Sequence, residues 1–398
     1  MNQATADYIR ANADADVRQL ALQGKQEGVD LLFALQQIAG RQTAKTKLPS
    51  WAAVDGIVYP PHLSMEQCSS EPTARYKARL AGGGSRLVDL TGGFGVDFSF
   101  MARQFDEAIY VEHQQQLCDI AAENFRLLGV NARVEHADST DYLTTLDHAS
   151  LIYIDPARRD EHGARTYGIG DCTPNVLELK AMLLAKTDRL LIKLSPMLDW
   201  RKAVADLGMV SEVHIVSVGN ECKELLLKME SHVAGSSGEE KAVRVVCVNI
   251  LADGSMEHFD FLSPSEHSAA PVIRPDNGRY LLEPNASLMK AGCFREIAMR
   301  YGIGELGRNS HLFISEVPVE TFPGRQFEID HTCTLNKREL REALRGLGRA
   351  NIAVRNFPLS ADQLRQRLKL KDGGDTYIFA TTIDGGAHRL FFCRKYGR

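Results

Sequence analysis

From residue 85 to residue 230 the chain alternates short aliphatic runs with amphipathic helical stretches, and this alternation restricts the fold more than any other feature. The order is SRLVDL, then DFSFMARQF; EAIYVEH, then QLCDIAAENFRLLG; ARVEHA; SLIYIDPARR; NVLELKAMLLA; DRLLIKLSP; LDWRKAVADLG. A strand that returns in parallel needs a helical crossover, so the pattern predicts an α/β fold with a doubly wound, mostly parallel sheet. The final pair, EVHIVSV and KELLLKME around GNEC, reads instead as an antiparallel hairpin.

The flanks carry other rhythms. Apolar residues at helical spacing (Tyr8, Ile9, Val17, Leu20, Leu22, then Val29, Leu31, Leu32, Leu35, Ile38) predict helices over residues 5–40. LPSW and YPPHLS break the pattern, and SSEPTARYKARLA restarts it with Ser69 or Ser70 as cap. GSSGEE at 235–240 is a linker by composition. Two strands (AVRVVCVNI, MEHFDFL), a helix around SLMKAGCFREIAMRYG and a strand near HLFISEV follow. The last module reads helix (NKRELREALRGLG), strand (ANIAVRNF), a helix opened by the capping box SADQ at 360–363, and the strands TYIFATTI and HRLFFCRK. The expected division is an N-terminal helical region at 1–80, the sheet domain at 81–232, an α+β middle domain at 233–325 and a basic α+β domain at 326–398.

Charge separates the last module from the body. The chain is 25% charged with net charge −4, but residues 325–398 hold 15 Lys and Arg against 8 Asp and Glu, leaving 32 against 43 elsewhere. A basic module on an acidic body predicts a polyanionic partner. Arg338, Arg341 and Arg345 recur at helical spacing and are the candidate basic stripe; pairing with Glu339 and Glu342 is the alternative. The eight cysteines form no CxxC pair and no cluster with histidine, so neither a metal site nor a disulfide framework is expected. Reduced thiols, a polar start (MNQATADYIRANADADV) and the lack of any apolar run of about eighteen residues predict a cytoplasmic protein with no membrane span.

The loop LVDLTGGFGVD at 87–97 is where ligand chemistry first shows. Gly93-Phe94-Gly95 is followed by Val96, Asp97 and Phe98, so the third glycine of a dinucleotide fingerprint is missing. No Gly-Lys-Ser/Thr follows, which excludes a P-loop. The remaining pattern, an acidic residue four positions before a Gly-x-Gly, resembles class I S-adenosylmethionine (AdoMet) methyltransferases. That resemblance implies a loop backbone (Thr91, Gly93, Gly95) against the methionine part of the cofactor, with Asp89 receiving its amino group. It also implies Glu112, seventeen residues after Gly95, on the ribose hydroxyls, and Asp138 on the adenine edge. The alternatives are a turn-stabilising carboxylate for Asp89, an exposed strand end for Glu112 and a helix cap for Asp138.

The fourth strand ends in Asp155-Pro156-Ala157-Arg158. This resembles the D/N-P-P-aromatic motif of enzymes that methylate base nitrogens, in which the acid and a proline carbonyl accept hydrogen bonds from the nitrogen. Arg158 stands where the aromatic would be, and a guanidinium plane can also stack on a base. Arg158 and Arg159 could equally be solvated charges. Lys193 and Ser195 after the fifth strand, with Asn220 and Glu221 in the hairpin turn, are substrate-contact candidates. No cysteine sits in DPARR or KLSP, which argues against C5-pyrimidine chemistry.

Across nearly its full length the chain is similar to bacterial class I methyltransferases that carry a THUMP-like domain at the C-terminus. SSEPTARYKA, DLTGGFGVD, YIDPARR, KLSPMLD, NKRELREALR and DTYIFATT carry the likeness. It implies a seven-stranded Rossmann-like sheet whose last strand is antiparallel, a ferredoxin-like piece before the tail, AdoMet as cofactor and RNA as partner. Methyl transfer to a base nitrogen of ribosomal or transfer RNA is the leading reading. Methylation of a protein or small molecule, and non-catalytic RNA binding, are the alternatives.

Overall fold

The computed structural model describes residues 2–158, 168–231, 242–263 and 272–397. They divide into two compact units, the first running to Val213 and resuming at Glu224, the second made of His214–Lys223 and the chain from Ala242 onward.

The first unit is built on β1 (Gly84–Asp89), β2 (Phe105–Glu112), β3 (Arg133–His136), β4 (Leu151–Ile154) and β5 (Arg189–Leu194), with the start of β6 (Val210–Val218), which passes into the second unit at His214, and the body of β7 (Glu221–Glu230), which returns to the first at Glu224. Strands β1 to β5 pair in parallel, and β7 lies antiparallel beside β5 with Leu194 opposite Leu225. These seven strands run in the order 3-2-1-4-5-7-6, the doubly wound arrangement with an antiparallel seventh strand that the sequence predicts, but the sheet has nine strands rather than seven, two later ones continuing it beyond β6. Order reverses between β1 and β4, and a crevice at the carboxyl ends of the strands is expected at that point.

Before the sheet, helices run over Gln3–Ala11, Val17–Leu22, Leu31–Lys47, Pro49–Ala52, His62–Gln67 and Glu71–Ala81. Proline at the first position of Pro49–Ala52 starts a helical turn where LPSW reads as a break, because its missing N–H is not needed there. Trp51 and Tyr59 bury against Phe94 of the glycine loop, the Trp51 and Phe94 ring centroids 4.9 Å apart. Asn124 bridges to Val58 in both directions, accepting from its amide and donating to its carbonyl at 2.8 Å each, so irregular backbone at 58 is satisfied without a strand partner.

In the second unit β8 (Val243–Ile250) and β9 (Met256–Ser263) form an antiparallel pair. A separate seven-stranded sheet follows from β10 (Tyr280–Pro284), β11 (Gly304–Glu305), β12 (Phe313–Ser315), β13 (Gly324–Cys333), β14 (Asn351–Arg355), β15 (Thr376–Thr382) and β16 (His388–Tyr396). Its order is 11-12-10-13-16-15-14. Because β13 pairs with β10 on one side and β16 on the other, one sheet spans residue 325, where the sequence places a domain boundary. The helix expected around SLMKAGCFREIAMRYG is two, Ala286–Ala291 and Phe294–Tyr301, separated where Gly292 turns left-handed. The capping box Ser360/Gln363 forms as predicted. Among the described residues no helix is long and apolar enough to cross a membrane.

Trp51 is fully buried against the glycine loop, so Trp51→Ala is expected to cost about 3–5 kcal/mol through lost burial and a residual cavity. Urea unfolding followed by circular dichroism measures it; a change below about 1 kcal/mol would mean that the helical region does not brace the loop.

Candidate active site

Parallel register places three acidic side chains at neighbouring strand ends. Asp89 lies opposite Tyr110 of β2 and Tyr153 of β4, so Glu112 and Asp155, each two residues further on, flank the loop that leaves β1. Two glycines are required there. A Cβ on Gly92 would lie 2.1 Å from the Tyr110 ring, and Gly95, at φ +81°, would press one against Phe125 at 2.7 Å. The Tyr110, Phe98 and Phe125 rings pack together beneath the loop.

Hydrogen bonds then fasten the loop from both neighbours. Glu112 accepts from the Gly93 amide and the Gln114 amide at 2.9 Å each, and its carboxylate meets His113 Nδ1 at 2.9 Å. Tyr110 donates its hydroxyl to the Gly93 carbonyl. On the β4 side, Thr91 Oγ1 accepts from the Asp155 amide at 2.7 Å while the Thr91 amide donates to Asp89 at 2.9 Å. Lys193, on β5, forms an ion pair with the Asp155 carboxylate. Asp89, Thr91, Gly93, Gly95, Glu112, Asp155 and Lys193 thus form one bonded constellation, with buried Pro156 beside it.

Asp89 is only 1% exposed. Burial pushes its carboxyl well above the usual range; the Thr91 amide opposes that, and Asp97, Asp155 and Glu112 add to it as like charges. A cationic ligand beside Asp89 would offset the desolvation and like-charge repulsion that oppose its ionisation.

Beneath it lies a network the sequence reading did not find. Lys77, fully buried in helix Glu71–Ala81, donates to Ser69 Oγ at 2.9 Å and Glu224 at 2.5 Å and pairs with Asp97 at 3.1 Å. Asp97 also accepts from Ser69 Oγ and the Tyr153 hydroxyl, both at 2.8 Å. Burial opposes the Asp97 charge, but Lys77 and Lys193 outweigh it and hold the carboxyl below its ordinary value. Glu224 is pushed the other way, by burial first and by Asp97, despite Lys77 and Lys193. Ser69 is therefore committed to this network and Ser70 takes the helix-cap position, making no side-chain cap bond. An acid two residues into a helix and a lysine in ARYKA carry no sequence signal of burial; both residue types are normally solvated.

Other expected site residues stand outside that set of bonds. Asp138 is exposed and caps helix Ser139–Thr145, accepting from Thr140 and Asp141 amides. Ser195 closes a turn, accepting from the Met197 amide at 3.3 Å. Asn220 and Glu221 belong to the second unit, where Asn220 accepts from the Ala286 amide at 2.8 Å and Glu221 pairs with Lys223. A left-handed backbone at Asn220 in the tight turn directs that side chain into its own unit. The backbone of Ala157 and Arg158 pairs with Thr173 and Cys172; Arg159 lies outside the described residues. Arg338, Arg341 and Arg345 are exposed and make no ion pair among the described residues, since Glu339 instead accepts from Thr334. The helix here is shorter than predicted, Lys337–Ala343, so Arg345 sits in the turn beyond it.

A raised carboxyl pKa in the folded state means stability that is full below the unfolded value and falls as pH rises through the folded one. Asp89→Asn removes that loss. The variant should gain on wild type as pH increases from 5 to 8 in paired urea titrations; a difference independent of pH would show that Asp89 is not strained by burial.

Comparison with known proteins gives this geometry a family. The THUMP domain-like family profile matches residues 324–395 and a ferredoxin-like domain profile matches 280–323. Uncharacterised S-adenosylmethionine-dependent methyltransferases from two Mycobacterium tuberculosis strains are 26% identical over 328 residues, 81% of this chain and 84% of theirs. A solved structure from Porphyromonas gingivalis W83, provisionally named a methyltransferase, is 32% identical, covers 99% of this chain and 98% of its own, and superposes with a TM-score of 0.88. With a strand order of 3-2-1-4-5-7-6 and an acidic glycine loop at its switch point, the chain belongs to the class I AdoMet-dependent methyltransferases that carry a C-terminal THUMP-like domain.

Proposed function

We propose that the protein methylates a base nitrogen of RNA, with AdoMet bound at the carboxyl ends of β1 and β2 and the acceptor presented to Asp155 and Pro156. The observation that carries this reading is the convergence of Asp89, Glu112 and Asp155 on one glycine loop, fastened to it through the Gly93 amide and Thr91. The loop fits the cofactor: Asp89 is a buried carboxylate short of positive partners, and side chains are excluded at Gly92 and Gly95. Bound AdoMet would supply an electrophilic methyl group on a sulfonium that departs as a neutral thioether. Asp89 and the Thr91–Gly95 backbone would hold its amino-acid part, Glu112 its ribose hydroxyls, and Asp138 its adenine edge. With so good a leaving group, the chain's own task is mainly positioning, and Asp155 and the Pro156 carbonyl would orient the nitrogen lone pair.

The RNA half of the reading rests on the second unit. Arg338, Arg341 and Arg345 are exposed and make no ion pair among the described residues, whereas Arg365, Arg389 and Arg394 are tied to Asp372, Asp276 and Asp330. Three exposed guanidinium groups on one segment suit phosphates, leaving recognition of the base to the sheet.

Loss of two charge-assisted ribose contacts in Glu112→Ala should weaken AdoMet binding by roughly 1–3 kcal/mol; equal affinity by calorimetry would remove Glu112 from the cofactor site. Truncation at residue 325 would tear β13 from β10, so charge reversal is the better probe of RNA binding. Replacing Arg338, Arg341 and Arg345 by glutamate should lower RNA affinity at low salt and flatten the log–log salt dependence by about 2. Unchanged affinity in filter binding would make the stripe ordinary surface.

A further inference from the structure

This inference deepens the base-methylation reading and rests on it. Asp155 and Lys193 form an ion pair at the carboxyl ends of β4 and β5, one acceptor beside one cation. The Asp155 side chain is 35% exposed, and its Oδ1 has no hydrogen-bond partner among the described residues. Lys193 is the more enclosed partner, faced by Asp155 from β4, Asp97 from helix Val96–Met101, Glu224 from β7 and the Cys68 thiol. Burial works against the Lys193 charge, but the three carboxylates outweigh it and hold the ammonium protonated above its ordinary range. Lys77 pairs with Asp97 at 3.1 Å and Glu224 at 2.5 Å, which ties both carboxylates in place.

We propose that Asp155 and Lys193 together select a lactam edge, a ring N–H beside a carbonyl as in guanine N1/O6 or uracil N3/O4, and that Lys193 is the residue that makes this nitrogen reactive. A lactam nitrogen has no free lone pair until its proton leaves, and the resulting charge spreads onto the neighbouring oxygen. A fixed ammonium beside that oxygen stabilises the developing charge before the methyl arrives. The amidine edges of adenine and cytosine have a similar donor–acceptor pattern but the opposite charge development. Methylation there spreads positive charge onto the ring nitrogen facing the cation, which Lys193 repels. The N–H proton passes to Asp155 Oδ1 and thence to solvent. The nitrogen pair forms the N–CH3 bond, and the C–S pair remains on sulfur, so one methyl is gained and one proton released.

The decisive measurement uses full-length protein, tritiated AdoMet and total RNA from a strain lacking the gene, with nucleosides identified by mass spectrometry. Label in 1-methylguanosine or 3-methyluridine supports the proposal. Label in an exocyclic amine, 1-methyladenosine or 3-methylcytidine overturns it while leaving RNA methylation standing. Absence of label from RNA overturns the RNA reading and this inference with it. None of these outcomes needs a variant to fold. With the substrate RNA in hand, Lys193→Met should slow transfer at pH 7 by about 100-fold and recover as pH rises toward the acceptor's own ionisation. Its affinity for S-adenosylhomocysteine should stay as in wild type by calorimetry. A loss of the same size at every pH would make Lys193 a structural residue and reject the role.

Discussion

The first unit depends on an ammonium group with no access to water. Lys77 is fully buried, and its three hydrogens face Ser69, Asp97 and Glu224. Taking such a charge out of water costs several kcal/mol, and ion pairing does not reliably return more than that cost. What the arrangement secures is position. Helix Glu71–Ala81, helix Val96–Met101 and β7 meet at one point, and any shift of one would strand a charge in low dielectric.

That point lies directly under the glycine loop. Helix Val96–Met101 begins at Gly95, so tying down Asp97 also sets where the loop ends. Glu112 and Asp89 set where it passes, by accepting from the loop's Gly93 and Thr91 amides rather than bonding to its side chains. Substitution of most loop side chains would leave those bonds in place, whereas a Cβ at Gly92 or Gly95 would collide with the rings beneath. The same network sets the charge of Lys193, because Asp97 and Glu224 face both lysines. Geometry and electrostatics around the glycine loop therefore have one source.

The second unit works by a different logic. Buried Glu283 holds Arg325 and Arg355 at once, and Arg389 and Arg394 are likewise paired, so much of the basic excess is internal to the sheet. Only part of the net positive charge counted from the sequence is available to a polyanion. Glu339 shows why composition misleads here: a carboxylate set between Arg338 and Arg341 in the sequence accepts from Thr334, and neither arginine makes an ion pair among the described residues.

Alternation of strands and helices between residues 85 and 230, the antiparallel closing hairpin and the acidic glycine loop were legible from the residues themselves, because local periodicity and backbone freedom are properties of neighbouring positions. Asp89, Glu112 and Asp155 were readable for the same reason, each ending a strand whose register the hydrophobic pattern already determines. Asn220 was misplaced by that reasoning: a strand end gives the direction of the chain but not which unit a turn residue joins. Lys77, Asp97 and Glu224 were invisible, since Lys77 and Glu224 stand 147 positions apart and charged residues are assigned to the surface by default. By itself the sequence determined the alternating elements of the sheet and the acids at the carboxyl ends of its strands. Only tertiary structure decided which of those acids is paired, with which lysine and at what charge, because desolvation and Coulomb interaction depend on what surrounds a group in space rather than on what precedes it in the chain.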